Sequence, residues 1–318
     1  MIVSLASIPT DLIEMVESKT GEKIIVYNLD EDKNETMRAL SEAEIAITWS
    51  SPIRNGVFNN CRYFKLKWLF SLTVGVENLP FADFIDKGII VTNTRGLLGP
   101  HVAEQTIGMM IAFSRRLKRC FENQLKRVWE QGLPVDELTG KILCIVGAGG
   151  IGSEIARKTK AFDMKVIGLK RRSEALKYFD EVWGMEELGK ALGLADYIVL
   201  TVPLTEETYH LIGQQEFKLM KRSSVLINMS RGDTVDEKAL IAALYEGRIA
   251  GAGLDVFHEE PLPPESPLWG MDNVIITPHN AGNSPYLLGR AMKLFAENLI
   301  LFRQGSPMKN IVNLESKY

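Results

Sequence analysis

Three side chains that could bind an anion or move a proton follow apolar runs in the second half of the sequence. Arg231 follows LINMS, Glu260 precedes a proline in AGLDVFHEEPLP, and His279 ends VIITPH. Because the carboxyl ends of parallel strands lie along one edge of a sheet, we expect these side chains to converge. Taken singly, Arg231 could be a surface cation, Glu260 part of a solvated loop and His279 a structural histidine. Their order and flanking residues favour a catalytic site.

A glycine loop in KILCIVGAGGIGSEIARKTKAF is the second feature with chemical meaning. Gly147, Gly149 and Gly152 fit G-x-G-x-x-G between an apolar strand and a helical pattern. In this pattern Gly147 permits a tight turn, Gly149 lets a pyrophosphate approach the backbone, and Gly152 lets the helix pack on the strand. The first N–H groups of the helix, at Gly150 and Ile151, are suited to bind phosphate. The segment predicts a dinucleotide site rather than a merely structural turn.

The basic run in VIGLKRRSE predicts which dinucleotide is bound. Lys170, Arg171 and Arg172 end the second strand, and no acid occurs between Asp163 and Glu174. An acid in this place would accept hydrogen bonds from the ribose of NAD, whereas Arg accommodates the 2′-phosphate of NADP. The run therefore favours NADP(H). If it is only a solvated basic turn, NAD remains possible.

Elements that position these residues are indicated by apolar runs of strand length that alternate with helical patterns. Such runs predict parallel sheets buried on both faces. They form two sets, separated by a long helical stretch at about residues 100–128 and followed by the amphipathic helix PYLLGRAMKLFAENLILFRQG, which could lie beside either set. We expect an α/β protein with two doubly wound parallel-sheet domains and a cleft between them. The predicted strands are IVSLAS, KIIVYNL, EIAITW, WLFSLTVG, IIVTN, KILCIVGAG, MKVIGL, YIVLTVP, SVLINMS, AGLDVF and VIITPH.

Composition limits the classes of function. The chain has 318 residues, 46% of them apolar and 24% charged, with a net charge of −3. This size predicts two domains, and the charge gives no reason to expect a nucleic-acid or membrane partner. No apolar run is long enough to predict a membrane-spanning helix, the N-terminal residues do not predict a signal peptide, and no residue spacing is typical of metal ligands. Cys61, Cys120 and Cys144 lack CxxC spacing, which indicates a reduced compartment; we expect a cytoplasmic protein in which Cys144 is a core residue.

Several long segments resemble signatures of the D-2-hydroxyacid dehydrogenase family. They are GAGGIG, PLTEET, the run RG…VDE.AL, the run DVF..EPLP…PLW…TPH.AG, and VTNTRGLLGPHVAEQTIGMMI. The resemblance covers about residues 45–305. Within the family, the basic loop is most similar to that of NADPH-linked glyoxylate/hydroxypyruvate reductases.

This resemblance implies roles for the residues of the second half. His279 would protonate the carbonyl oxygen of the substrate as hydride arrives from the nicotinamide, and Glu260 would orient its ring. Arg231 would bind the 2-oxo acid and polarise its carbonyl. Asp255 would contact the nicotinamide carboxamide. Further residues would line the cofactor, the first three on its adenosine and phosphate side: Val202, Pro203, Thr208, Met229, Ser230 and Gly282.

The resemblance also implies a substrate loop in the first half. SLTVGVEN matches the glycine turn of the family, in which N–H groups around Val74, Gly75 and Val76 would bind the substrate carboxylate. Trp49 could form a wall of the substrate pocket or pack in the core.

Other positions depart from the family pattern or lack a motif. Asp163 stands where the family usually has Gly, and Asp tolerates the left-handed conformation. Asn280 replaces an apolar residue and could contact substrate or ribose. His101 could be functional or only cap or hinge a helix, and His210 and His258 are expected to be structural or exposed to solvent.

Together these inferences predict the domain organisation and the activity of the protein. Residues 1–97 and 286–318 would form a flavodoxin-like substrate domain, and residues 98–285 a Rossmann-type dinucleotide-binding domain. The expected activity is hydride transfer between NADP(H) and a small 2-oxo acid or D-2-hydroxy acid, by a homodimer. A non-catalytic dinucleotide sensor on the same fold is the alternative. The set of Arg231, Glu260 and His279 argues against it, because a sensor needs no positioned acid.

Overall fold

Strands and helices alternate along the chain, as the apolar runs predict. The computed structural model describes residues 1–29, 31–60, 65–76 and 78–315, so that Cys61 lies outside the described residues. Within these ranges the strands are β1 (Ile2–Ser4), β2 (Ile24–Val26), β3 (Ile45–Thr48), β4 (Trp68–Ser71), β5 (Ile90–Thr92), β6 (Ile142–Val146), β7 (Lys165–Leu169), β8 (Glu181–Trp183), β9 (Tyr197–Leu200), β10 (Val225–Asn228), β11 (Gly251–Leu254) and β12 (Val274–Ile276). The α-helices are α1 (Thr10–Thr20), α2 (Lys33–Glu42), α3 (Ser50–Arg54), α4 (Val57–Asn60), α5 (Phe81–Asp86), α6 (Gly99–Ser114), α7 (Leu117–Lys126), α8 (Gly150–Thr159), α9 (Leu188–Leu194), α10 (Gln214–Leu219), α11 (Glu237–Tyr245) and α12 (Leu287–Arg303).

The first structural unit comprises Met1–Leu97 and Ser284–Tyr318. Its five strands form a parallel sheet in the order β2-β1-β3-β4-β5, the flavodoxin-like arrangement. Helix α12 packs against α1 and the sheet, where the rings of Trp68 and Phe295 stack with centroids 5.0 Å apart. The amphipathic C-terminal helix therefore belongs to this unit.

The second unit, Leu98–Asn283, has a parallel sheet in the order β12-β11-β10-β9-β6-β7-β8. This is a Rossmann-type arrangement with an additional strand at one edge. Because β10, β11 and β12 are neighbours in parallel register, their carboxyl ends lie side by side. Cys144 is fully buried in the interior strand β6, and burial raises the pKa of its thiol to about 12. Its predicted core position is confirmed.

Two local elements differ from the sequence-based expectation. The strand β8 was not predicted, because Glu181–Trp183 is short, half-buried and contains an acid. The predicted long helix is divided into α6 and α7 by Arg115 and Arg116, of which Arg116 has a left-handed φ of 54°. Asp163 also has a positive φ, 53°, so the residue that replaces the family's glycine adopts the left-handed conformation expected for that turn.

No helix within the described ranges combines the length and the apolar character needed to cross a bilayer.

Candidate active site

His279 and Glu260 form a hydrogen-bonded pair beyond the end of β12. The His279 Nδ1 atom lies 2.7 Å from Glu260 Oε2, and Glu260 Oε1 accepts a hydrogen bond of 3.1 Å from the Phe257 N–H. His279 has a φ of 49°, and its own N–H donates to the Asp255 carbonyl at 2.8 Å. Since Glu260 accepts from Nδ1, the imidazole has Nε2 left for proton transfer. Both side chains are partly exposed.

Asp255 fixes the loop that carries His279. Its side chain is 2% exposed, and Oδ1 accepts from Gln105 Nε2 at 2.9 Å and Thr277 Oγ1 at 2.5 Å. Oδ1 also accepts the Asn280 N–H at 3.1 Å, while Oδ2 accepts the Ala281 N–H at 3.1 Å. The buried carboxylate therefore joins α6 to the turn after β12. Its predicted contact with the nicotinamide stays a prediction.

Gln105 is a residue of this site that the sequence analysis missed. Its Nε2 donates to Thr277 Oγ1 at 2.8 Å and lies 3.2 Å from Asn280 Oδ1, in addition to its bond to Asp255. Nothing in the local sequence signals this contact, because it joins residues far apart along the chain. The Asn280 side chain is oriented by Gln105; contact with substrate or ribose stays a prediction.

Arg231 lies in a turn that is fixed by its neighbours. Asn228, the last residue of β10, donates from Nδ2 to the Arg231 carbonyl at 3.0 Å, and its Oδ1 accepts from Ser230 Oγ at 2.8 Å. Thr234 Oγ1 donates to the same Arg231 carbonyl at 2.7 Å. The guanidinium donates to the Ser230 carbonyl at 2.7 Å. Arg231, Asp255 and His279 thus follow neighbouring strand ends of one sheet.

The three glycines of the loop after β6 have different surroundings. Gly147 has a φ of 105°, and a Cβ there would lie 2.8 Å from the Thr201 carbonyl carbon. A Cβ at Gly152 would lie 2.4 Å from the Gly147 oxygen, so this position has no room for a side chain. A Cβ at Gly149, by contrast, would meet no described heavy atom within 4 Å. The open space at the start of α8, beside Gly150 and Ile151, fits the approach of a pyrophosphate to backbone N–H groups.

The basic run directly follows β7, and its three side chains differ in their surroundings. The ammonium group of Lys170 pairs with Glu174, whereas Arg171 and Arg172 are exposed. Thr208 Oγ1 donates to the Pro203 carbonyl at 2.6 Å and so closes the loop after β9. The other predicted cofactor residues lie at the carboxyl edge of this sheet: Val202, Met229 and Ser230 are buried, and Gly282 lies against Leu98.

The glycine turn of the first unit is held by side chains at the ends of β4 and β5. Asn93 Nδ2 donates to the Val74 carbonyl at 2.8 Å, and Thr73 Oγ1 donates to the Gly75 carbonyl at 3.2 Å. Within the described part of the chain, no acceptor takes the N–H groups of Val74, Gly75 or Val76. These donors suit an anion.

Trp49 packs against the core of the same unit.

Two histidines outside the pair lie close to the Arg231 turn. The His258 Nδ1 atom is 2.5 Å from Asp233 Oδ1. The His210 N–H donates to the Asp233 carbonyl at 2.7 Å, and its ring stacks on Tyr209 with centroids 4.0 Å apart. His258 is exposed, as expected, but its ion pair was not predicted.

Comparison with known proteins now places the chain in a family. A family model described as "D-isomer specific 2-hydroxyacid dehydrogenase, NAD binding domain" matches residues 107–281. The chain belongs to this family. Its predicted fold of two parallel α/β domains is confirmed.

Relatives of this D-2-hydroxyacid dehydrogenase carry several names. The glyoxylate reductase of Korarchaeum cryptofilum is 40% identical over 260 residues, covering 79% of this chain and 77% of that relative. The D-3-phosphoglycerate dehydrogenase of Methanocaldococcus jannaschii is 34% identical over 312 residues, or 96% of this chain, which spans 57% of that relative. The NADPH-dependent glyoxylate/hydroxypyruvate reductase of Sinorhizobium meliloti, solved in complex with NADP and sulfate, is 26% identical with a TM-score of 0.83, covering 100% of this chain and 99% of that one.

Family membership establishes the reaction class. This dehydrogenase is an oxidoreductase that transfers hydride between NAD(P)H and a 2-oxo acid. The alternative of a non-catalytic dinucleotide sensor is not favoured.

Proposed function

We propose that the protein reduces small 2-oxo acids such as glyoxylate and hydroxypyruvate, with a preference for NADPH. The observation that carries this proposal is the His279–Glu260 hydrogen bond of 2.7 Å at the sheet edge that also holds Arg231. Reduction of a 2-oxo acid requires a general acid for the carbonyl oxygen and a cation for the carboxylate, and this sheet edge carries one of each. The names of the relatives support the substrate class.

In the proposed mechanism His279 is the general acid. Glu260 accepts from Nδ1 and so fixes the orientation of the ring, which leaves Nε2 to carry the proton that is transferred. The Nε2 proton passes to the carbonyl oxygen of the substrate. Arg231 binds the substrate carboxylate and stabilises the negative charge that develops on the carbonyl oxygen. Within the first unit, the N–H groups of Val74, Gly75 and Val76 are suited to bind a carboxylate.

The cofactor would be held by residues of the second unit. The N–H groups at the start of α8 would bind its pyrophosphate, Arg171 and Arg172 its 2′-phosphate, and Asp255 its carboxamide. When bound, the nicotinamide supplies the hydride. In these roles Leu98–Asn283 is the dinucleotide domain and the first unit the substrate domain.

Steady-state oxidation of NADPH and of NADH, followed by absorbance, tests the proposal. The substrates would be glyoxylate, hydroxypyruvate, its 3-phosphate ester, and branched and aromatic 2-oxo acids. We expect glyoxylate or hydroxypyruvate with NADPH to give the highest kcat/KM. If the phosphate ester is the best substrate, the enzyme instead resembles the phosphoglycerate dehydrogenases in activity. A preference for NADH would mean that Lys170, Arg171 and Arg172 form a solvated turn and bind no 2′-phosphate. If no pair is turned over, the activity proposal fails.

The glycine loop allows a matched pair of substitutions. Gly149→Ala should leave the fold unchanged, because its Cβ enters open space at a φ of −90°, and should weaken NADPH binding by obstructing the pyrophosphate. Gly152→Ala should lower the melting temperature, because its Cβ would overlap the Gly147 oxygen. Fluorescence titration and thermal unfolding separate the two effects. Equal loss of stability in both variants would contradict this assignment.

We also propose that the enzyme is cytoplasmic and forms a homodimer. Helix α7 and the residues after it expose Phe121, Leu125 and Trp129 to 61%, 86% and 91%, an apolar group that a second copy would cover. Light scattering should give twice the mass of one chain. Leu125→Glu should shift the protein toward monomer, whereas Leu194→Glu, at another exposed leucine, should not. A wild-type monomer would refute the proposal.

A further inference from the structure

The turn that carries His279 is bonded to Asp255 on both sides of the histidine. Before it, Thr277 Oγ1 donates to Asp255 Oδ1 at 2.5 Å. After it, the N–H groups of Asn280 and Ala281 donate to the same carboxylate, each at 3.1 Å. The φ of 49° at His279 is one that a residue other than glycine keeps only when its surroundings impose it. The position of the imidazole therefore depends on where the Asp255 carboxylate is held.

Gln105 holds this carboxylate from helix α6. Its Nε2 atom lies 2.9 Å from Asp255 Oδ1 and 2.8 Å from Thr277 Oγ1, the hydroxyl that itself donates to Oδ1. The amide thus reaches the carboxylate both directly and through the hydroxyl. Because α6 packs against α8, Gln105 ties the turn to a helix that is itself held in place.

The chemistry of the carboxylate fixes which end of the Gln105 amide faces it. An ionised carboxylate only accepts hydrogen bonds, so the amide nitrogen and not the amide oxygen must point at Asp255. The Thr277 hydroxyl gives its hydrogen to the same carboxylate and can accept one from Gln105. A side chain of equal size that only accepts would therefore place a second negative charge against Asp255.

We propose that Gln105 is a positioning residue for the general acid: its amide donors hold the Asp255 carboxylate and, through it, the turn that directs His279 toward Glu260. This inference rests on the proposed role of His279 in proton transfer. Gln105 acts through Asp255 and not on the substrate. Loss of its donors therefore lowers kcat, whereas the KM for the 2-oxo acid, which depends on Arg231, stays within about twofold of wild type.

Two substitutions of Gln105 separate its donors from its size. Gln105→Met keeps a side chain of similar length without a donor, and should lower kcat roughly tenfold to a hundredfold at every pH, the effect of a misplaced catalytic group. Gln105→Glu is nearly isosteric and depends on pH. When protonated, the introduced carboxyl group still donates one hydrogen; when ionised, it repels the Asp255 carboxylate. The ratio of its kcat to that of wild type should therefore fall as the pH rises.

Gln215 provides the matched control. It is exposed on α10, so Gln215→Met and Gln215→Glu make the same changes of size and charge away from the turn. Both should keep the wild-type kcat. Thr277 gives a second, independent pair: Thr277→Val removes the bridging hydroxyl and should lower kcat, whereas Thr277→Ser retains it and should not. Thermal unfolding identifies any variant that does not fold, and the remaining variants then decide.

A further readout does not depend on turnover. The chain has four histidines, so that the ring signal of His279 can be assigned by NMR from its absence in the His279→Asn spectrum. This signal should move in Gln105→Met and stay in Gln215→Met. If it moves but wild type reduces no 2-oxo acid, the positioning stands and the proposed activity is wrong. An unmoved signal, a wild-type kcat in Gln105→Met, or a Gln105→Glu ratio that is constant with pH would each overturn the role of Gln105.

Discussion

His279→Asn is expected to lower kcat for reduction of the 2-oxo acid by about 10²- to 10⁴-fold, the usual contribution of a positioned general acid. NADPH binding should not change. The substitution is chosen because His279 has a φ of 49°, and Asn tolerates this left-handed backbone. It removes the imidazole without straining the turn. Absorbance at saturating substrate gives kcat, and fluorescence titration gives the affinity for NADPH.

His210→Asn is the matched control for this variant. His210 also has a left-handed φ, 50°, and its ring stacks on Tyr209 rather than bonding to Glu260. Its kcat should stay within twofold of wild type. If His279→Asn retains the wild-type kcat, His279 is not the acid. If it loses NADPH binding as well, the turn that it shares with Asp255 has been damaged and the loss of rate says nothing about proton transfer.

Replacing Arg171 and Arg172 together by Ala should raise the KM for NADPH about a hundredfold and leave the KM for NADH nearly unchanged. Both side chains are exposed at the end of β7, and each is proposed to donate a charge-assisted hydrogen bond to the 2′-phosphate. Such bonds contribute roughly 1.5–3 kcal/mol each before screening by solvent. Because NADH lacks this phosphate but is otherwise the same molecule, the change in its KM measures any effect of the substitutions on the rest of the cofactor pocket.

The control removes the same charge elsewhere. Lys19 and Lys23 are exposed in the first unit, and their double replacement by Ala changes the net charge equally. It should alter neither KM. A similar rise for NADPH and NADH in the Arg171 and Arg172 variant would mean that the basic run shapes the loop without selecting between the cofactors.

The main strands could be predicted because buried parallel strands are continuous apolar runs with clear boundaries. The edge strand β8 could not, because Glu181–Trp183 has one buried neighbour strand and a half-buried face, which leaves no apolar run to detect. The break between α6 and α7 has no glycine or proline to signal it. A left-handed Arg116 ends the first helix, and its conformation depends on tertiary structure.

The candidate site was predictable only in part. Arg231, Glu260 and His279 come after β10, β11 and β12, so their placement along one edge of the sheet follows from the parallel strand order. Gln105 and the His258–Asp233 pair do not, because each depends on side-chain contacts between segments that are distant in the sequence. Sequence patterns locate backbone elements better than they locate the side chains that brace them.

The stack of Trp68 on Phe295 has a consequence for the order in which the protein can mature on the ribosome. Trp68 belongs to β4, near the beginning of the chain, and Phe295 to α12, which is translated after the whole of Leu98–Asn283. The strands β1–β5 therefore emerge long before the helix that covers one face of their sheet. The continuous second unit can complete its core first, while the apolar face around Trp68 stays uncovered until α12 has been translated and is prone to aggregation during that interval.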